Sequence, residues 1–218
     1  FCPVGGYTER MNGLENFFRS KNKVNLLLAA ANILVFLVLS AMGDTEDGYF
    51  MLRHGACYTP AILEGEYYRL FTGMFLHFGI YHIAYNMLCL LLMGNYLEEI
   101  VGSVRYAVIY LGAGLAGNLL SMGLELRSGS FAVSAGASGA IFGVMGALFY
   151  VVLRGRGQVG SATAGRMGMM LVLMVLQGFA DTGTDNAAHI GGLAAGFLLA
   201  VLLYRKKRRN PGPGAWEL

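Results

Sequence analysis

Charge is what this sequence has least of. Only 13% of its 218 residues are Asp, Glu, Lys or Arg, about half the share usual in a soluble domain. With 56% hydrophobic residues and a mean hydropathy of +0.53, that deficit excludes an ordinary water-soluble domain. It reads as one polytopic membrane domain. Cysteine is also scarce. Cys2, Cys57 and Cys89 fall on the inner side, on the outer side and inside a helix in the topology below, so free thiols are expected. The basic residues lie at segment ends and not on one face, so no nucleic-acid partner is expected. There is no H-E-x-x-H motif, and no carboxylate at a suitable depth supports the histidines. No metal and no other cofactor is expected. Residues 1–10 lack an apolar core of signal-peptide length. The opening at Phe1 suggests a processed, trimmed or tagged start, with Met11 as the candidate natural one.

What is present is a series of apolar runs of membrane-spanning length: 24–42, 79–97, 104–124, 138–153, a short fifth at 167–180 interrupted by Gly178, and 186–204. The mixed, aromatic-rich stretch 43–78 is expected to lie along the membrane interface. Six spans put both termini on one side. With that side inside, thirteen Lys and Arg fall inside and three (Arg53, Arg69, Arg127) fall outside, so both ends are expected to be cytoplasmic. The expected organisation is a cytoplasmic segment 1–22, a six-helix membrane domain 23–205 and a basic, disordered tail 206–218.

Polar groups inside such spans are expensive and mark function. The second span holds His82 and Asn86, the third Asn118, the fifth Gln177 and the sixth His189, while Ser138 opens the fourth. The second, fourth and sixth spans run in the same direction. His82 to Glu98, Ser138 to Arg154 and His189 to Arg205 are each sixteen residues. Each side chain therefore sits about 24 Å above the inner boundary, at one level a few Å below the outer surface. A serine hydroxyl needs a base to become a nucleophile, and His189 is a base at that level. Gly192 and Gly196 follow His189 on one helix face and let it pack closely on the fourth span. Gly136, Gly139 and Gly143 leave the Ser138 hydroxyl uncovered, although such small residues are also ordinary membrane-helix packing. The reading is a Ser138–His189 dyad. His82 and Asn86, on one face at i, i+4, and the Ser138 N–H at a helix start serve as oxyanion donors. A single membrane histidine or asparagine can also serve only as an interhelical bond. Asp185 reads as the N-cap of the sixth helix in preference to a third catalytic member. Asn118 and Gln177 read as packing groups.

Gly136-Ala137-Ser138-Gly139, Ala188-His189 with Gly192 and Gly196, and His77, His82 and Asn86 ahead of and within the second span resemble the rhomboid family of intramembrane serine proteases, in its bacterial six-span form. The resemblance covers about residues 20–205. It implies an all-α bundle of six transmembrane helices with a long membrane-associated first loop. It also implies a dyad without an acid, Ser138 as nucleophile and His189 as general base, with His82 and Asn86 holding the oxyanion. The fifth helix and the loop before the sixth would act as a gate. Substrates would be transmembrane proteins, cut near the outer ends of their spans, in the plasma membrane with the site opening outward. Two positions depart from the family pattern. Tyr68-Arg69 stands where Trp-Arg is common, and Phe142 stands where some relatives have tyrosine under the histidine ring. Phe142 keeps the stacking face. A non-catalytic helix-binding relative is the competing reading. A small-solute transporter is disfavoured, because neither repeated halves nor mid-depth charges are present.

Overall fold

The computed structural model describes residues 23–155, 158–159, 162–165, 167–169, 171–172 and 183–204. The segment 1–22, the basic tail, Gln177 and most of the expected fifth span lie outside the described residues. Of the fifth span, only 167–169 and 171–172 are described, as helix.

The first apolar run forms α1 (Lys23–Met42). It touches the bundle along one stripe, Asn25, Ala29, Asn32, Phe36 and Leu39, at the spacing that keeps residues on one helix face. Leu34 and Leu37 on its other side are exposed, as suits a lipid-facing surface. The mixed stretch then folds into three short helices, α2 (Gly48–Arg53), α3 (Thr59–Leu63) and α4 (Arg69–Thr72), and a 3₁₀ turn at Gly73–Phe75. Arg69 is the centre of this loop. Its guanidinium is buried and donates to the carbonyls of Leu52 at 2.6 Å and Ala56 at 3.0 Å. It also pairs with Glu66 at 2.5 Å. Hydrogen bonds from Tyr68 and then Arg69 hold the Glu66 carboxyl below its usual pKa.

The second span is α5 (Gly79–Cys89), a π turn at Leu90–Gly94 and α6 (Asn95–Val101), which form one continuous helical run. It extends past the expected end at Leu97 because Glu98, which reads in sequence as the first inner charge, is buried. Its carboxylate accepts from the backbone N–H of Val24 at 3.1 Å and Asn25 at 2.8 Å, and from the Ser103 hydroxyl at 2.5 Å. It thus satisfies the orphan donors at the start of α1, where the helix dipole favours a negative charge. Asn25 continues the network. Its amide donates to the Leu90 carbonyl and to Asn95 Oδ1, and its Oδ1 accepts from the Tyr106 hydroxyl.

Gly102, at φ +85°, lets the chain turn at once into α7 (Ser103–Ser128). Then come α8 (Ser138–Arg154) and, after a short hairpin of β1 (Gln158–Val159) and β2 (Ala162–Thr163), α9 (Asn186–Leu203). α8 is apolar on nearly every side and is buried from Gly139 to Leu148, which makes it the central helix. α7 and α9 pack on it. Among the described residues four helices are long and apolar enough to cross a membrane: α1, the α5–α6 run, α7 and α9. α8, at 17 residues, is shorter, and its first residue is Ser138.

Candidate active site

Ser138 stands at the first turn of α8, with Ala137 as the preceding cap residue. The segment leading to it is tied to the first loop. Cys57 and Ser134 exchange backbone hydrogen bonds at 2.8 and 3.0 Å, and the Gly136 N–H donates to the Gly73 carbonyl at 2.9 Å. The Cys57 side chain is sealed beneath this bridge, and burial pushes its thiol up to about 12. It is therefore a structural thiol. Both described cysteines, Cys57 and Cys89, are free.

Across from Ser138, α9 is drawn in close by glycine. A side chain at Gly192 would collide with the Gly139 carbonyl, and one at Gly196 with the Gly143 carbonyl. Backbone therefore meets backbone, and the imidazole of His189 reaches the serine. His189 Nε2 and Ser138 Oγ are 2.8 Å apart, within hydrogen-bond distance. The ring of Phe142, one turn into α8, stacks on that imidazole at 4.2 Å between centroids and 15° between planes. It fixes the plane of the ring. His189 Nδ1 is buried and has no hydrogen-bond partner among the described residues.

α5 supplies the other wall. The Phe78 N–H donates to His82 Nδ1 at 3.3 Å, so the ring proton is on Nε2. That nitrogen faces Gly136, where an added Cβ would lie 2.9 Å from it and 3.7 Å from Ser138 Oγ. Gly136 also has φ +140°, which disfavours any side chain. Asn86 donates one amide hydrogen to the His82 carbonyl at 2.9 Å and keeps a second donor. Both line a cavity of about 630 Å³ that Ser138, His189, Cys89 and Ile141 share.

The structure thus brings Ser138, His189, His82, Asn86 and Phe142 to one cavity, with Gly136 against His82 and Gly139 and Gly192 forming the helix contact behind it. Asp185 is the N-cap of α9, as the sequence suggests. Its carboxylate does not meet the imidazole. Asn118 does more than pack: its amide donates to the Leu70 carbonyl at 2.7 Å and holds the first loop. His77 is a participant the residue-by-residue reading left unassigned. It packs edge-on against His82 at 5.1 Å and accepts from the Ala137 N–H at 3.4 Å. Burial, and then the neighbouring His82, push its pKa down to about 3, so it is a neutral prop under the Ser138 turn. Its spacing five residues before His82 was the available signal. Among the described residues no cluster of His, Cys, Asp or Glu is arranged to hold a metal ion.

Comparisons with known proteins point the same way. A family model described as the rhomboid domain matches residues 64–206. Rhomboid protease GluP of Bacillus subtilis (strain 168) is 37% identical over 187 residues, which is 86% of this chain and 36% of GluP. YdcA of the same bacterium is 31% identical over 207 residues, 92% of this chain and 98% of its own length. RHOMBOID-like protein 1 of Arabidopsis thaliana is 36% identical over 218 residues, covering 96% of this chain and 51% of that protein. The chain therefore spans about a third of GluP and nearly all of YdcA. The domain match covers more than half of the chain, and four helices among the described residues are apolar and long enough to span; the chain is a multi-pass membrane protein that belongs to the rhomboid family.

Proposed function

We propose that this chain is an intramembrane serine endopeptidase that hydrolyses a peptide bond in or near the outer end of a transmembrane segment. The observation that carries the reading is the 2.8 Å approach of His189 Nε2 to Ser138 Oγ inside the cavity. In this reading the serine hydroxyl donates its proton to His189 as Oγ attacks the scissile carbonyl. The resulting oxyanion is met by His82 Nε2–H, the free Asn86 amide hydrogen and the Ser138 N–H at the start of α8. The imidazolium then protonates the leaving amine, an acyl-enzyme forms on Ser138, and water activated by His189 releases it. His189 acts without a carboxylate partner, and Phe142 orients its ring in place of one. A substrate helix must unwind locally to offer its carbonyl, so helix-weakening residues near the cut favour cleavage. The name of GluP as a rhomboid protease supports the activity.

The same proposal has six spans, both termini cytoplasmic, and the catalytic domain at 23–205 between a cytoplasmic segment 1–22 and the basic tail 206–218. The cavity opens to the extracytoplasmic face of the plasma membrane. The partners are transmembrane protein substrates and membrane lipids, with no nucleic acid and no metal. The test is cleavage of a single-span substrate in detergent and in liposomes, with labelling by a serine-reactive phosphonate. Native protein is expected to cut and to label, and Ser138→Ala and His189→Ala to do neither. Cleavage surviving in Ser138→Ala would overturn the assignment. Folded native protein that neither cuts nor labels would point instead to a non-catalytic membrane-helix-binding role.

A further inference from the structure

The nucleophile and the base come from different helices, 51 residues apart. Glycine lets α8 and α9 approach, but a glycine face is smooth. At Gly139 and Gly192 the two helices meet through backbone atoms and the small Ala188 side chain. A defined register needs a directional bond near the base, and α7 carries one. Asp185, one turn before His189, uses both carboxylate oxygens. Oδ1 accepts from the Ala188 N–H at 2.9 Å, and Oδ2 accepts from the Ser121 hydroxyl of α7 at 2.7 Å. The Asp185 carbonyl accepts from the His189 N–H at 3.1 Å. At the same level a Cβ on Gly117 would lie 2.5 Å from the Ala188 carbonyl, so α7 touches the α9 backbone directly.

Ser121 does not act alone. Asn118 and Glu125, at i−3 and i+4, share its face of α7. Asn118 holds the Leu70 carbonyl. Glu125 accepts from the Thr59 hydroxyl at 2.6 Å and from the Ala132 N–H at 3.0 Å. One helix face therefore grips the first loop, the segment leading to Ser138 and the start of the His189 helix.

We propose that Asp185 is a positioning residue: through Ser121 it fixes the start of α9 on α7 and so sets the distance between His189 and Ser138. Its proposed action is geometric, through the hydrogen bond from the Ser121 hydroxyl. This rests on the Ser138–His189 reading above.

The test compares native protein with Asp185→Asn, Asp185→Ala, Ser121→Ala and the Ser138→Ala control. It measures kcat and KM, the pH–rate profile, the phosphonate labelling rate and thermal unfolding. Asparagine can still accept from Ala188 and can donate to Ser121, so Asp185→Asn is expected to keep kcat at its optimum pH within about threefold of native. Asp185→Ala and Ser121→Ala are expected to lower kcat about tenfold or more at unchanged KM, with labelling falling in parallel, because misplacement weakens the reacting geometry and not binding. If Asp185→Asn is as impaired as Asp185→Ala and its acid limb shifts, the carboxylate acts by charge and the proposal fails. Native-like rates in Ser121→Ala would also sink it. Ser121→Ala leaves the helix cap intact, so it decides the matter should Asp185→Ala fail to fold. If native protein neither cuts nor labels, the dyad reading fails first and takes this inference with it.

Discussion

The two ends of the bundle treat buried polar groups in opposite ways. At the end where α1 begins, Glu98, Asn25, Asn95, Ser103 and Tyr106 form a network in which the Glu98 carboxylate takes three hydrogen bonds and Asn25 makes bonds with both its oxygen and its amide. At the end where α8 begins, polar groups line a cavity of about 630 Å³, and His189 Nδ1 has no partner among the described residues. The Glu98 network is satisfied and so serves stability. At the cavity, His189 Nδ1 and the second amide hydrogen of Asn86 are left open, which is what a reacting molecule needs. In lipid the cost of a buried polar atom is high in both places; whether its valences are filled separates staple from chemistry.

The contrast can be broken by mutation, and the largest effect belongs to the cavity end. Ser138→Ala and His189→Ala are each expected to lower cleavage by at least about 10³-fold while shifting the thermal midpoint little, read by substrate cleavage alongside melting in detergent. Gly136→Ala drives a methyl into His82 Nε2 and strains a positive φ. It is expected to reduce kcat by about 10²-fold, as loss of an oxyanion donor does, with KM for the same substrate as the companion readout. At the Glu98 end the pattern reverses. Glu98→Ala is expected to destabilise the fold by about 3 kcal/mol, because it leaves the α1 donors unmet, while the folded fraction cleaves at the native rate. Tyr106→Phe, which removes one donor to Asn25, is expected to cost about 1 kcal/mol in denaturant unfolding. A native-like melt for Glu98→Ala would show that the Glu98 network contributes no stability. The smallest effect is an absence of change: Cys57, its thiol pushed up to about 12 by burial, is expected to resist maleimide at pH 8 until the protein is unfolded.

Much of this was legible in the sequence because lipid makes it so. Apolar runs mark α1, the α5–α6 run, α7 and α9, and the few polar residues within them stand out against that background. Equal sixteen-residue intervals suggested one level for His82, Ser138 and His189; the three do line one cavity, although Glu98, the marker used for His82, is a buried cap and not a boundary. Phe142 under the imidazole was implied by the resemblance to the rhomboid family, some of whose members place an aromatic ring there. What the sequence hid were contacts that carry no period. The Cys57–Ser134 bridge joins two irregular segments through backbone atoms, which every residue possesses. Asn118 looked like packing because its partner, the Leu70 carbonyl, is equally anonymous. Glu98 read as the end of a span because a charge normally stops one. Only the approach of α1 shows that its carboxylate is consumed as a helix cap. The π turn at Leu90–Gly94 leaves no mark in hydropathy, since insertion of a residue into a turn changes register and not composition.

Under the proposed function, the division of the reacting pair between α8 and α9 also bears on biogenesis. Ser138 emerges from the ribosome well before His189, and until α9 is threaded against Gly139 and Gly143 the serine lacks its proposed base. The proposed hydrolytic capability would arrive with the last described helix, so synthesis itself would delay its onset.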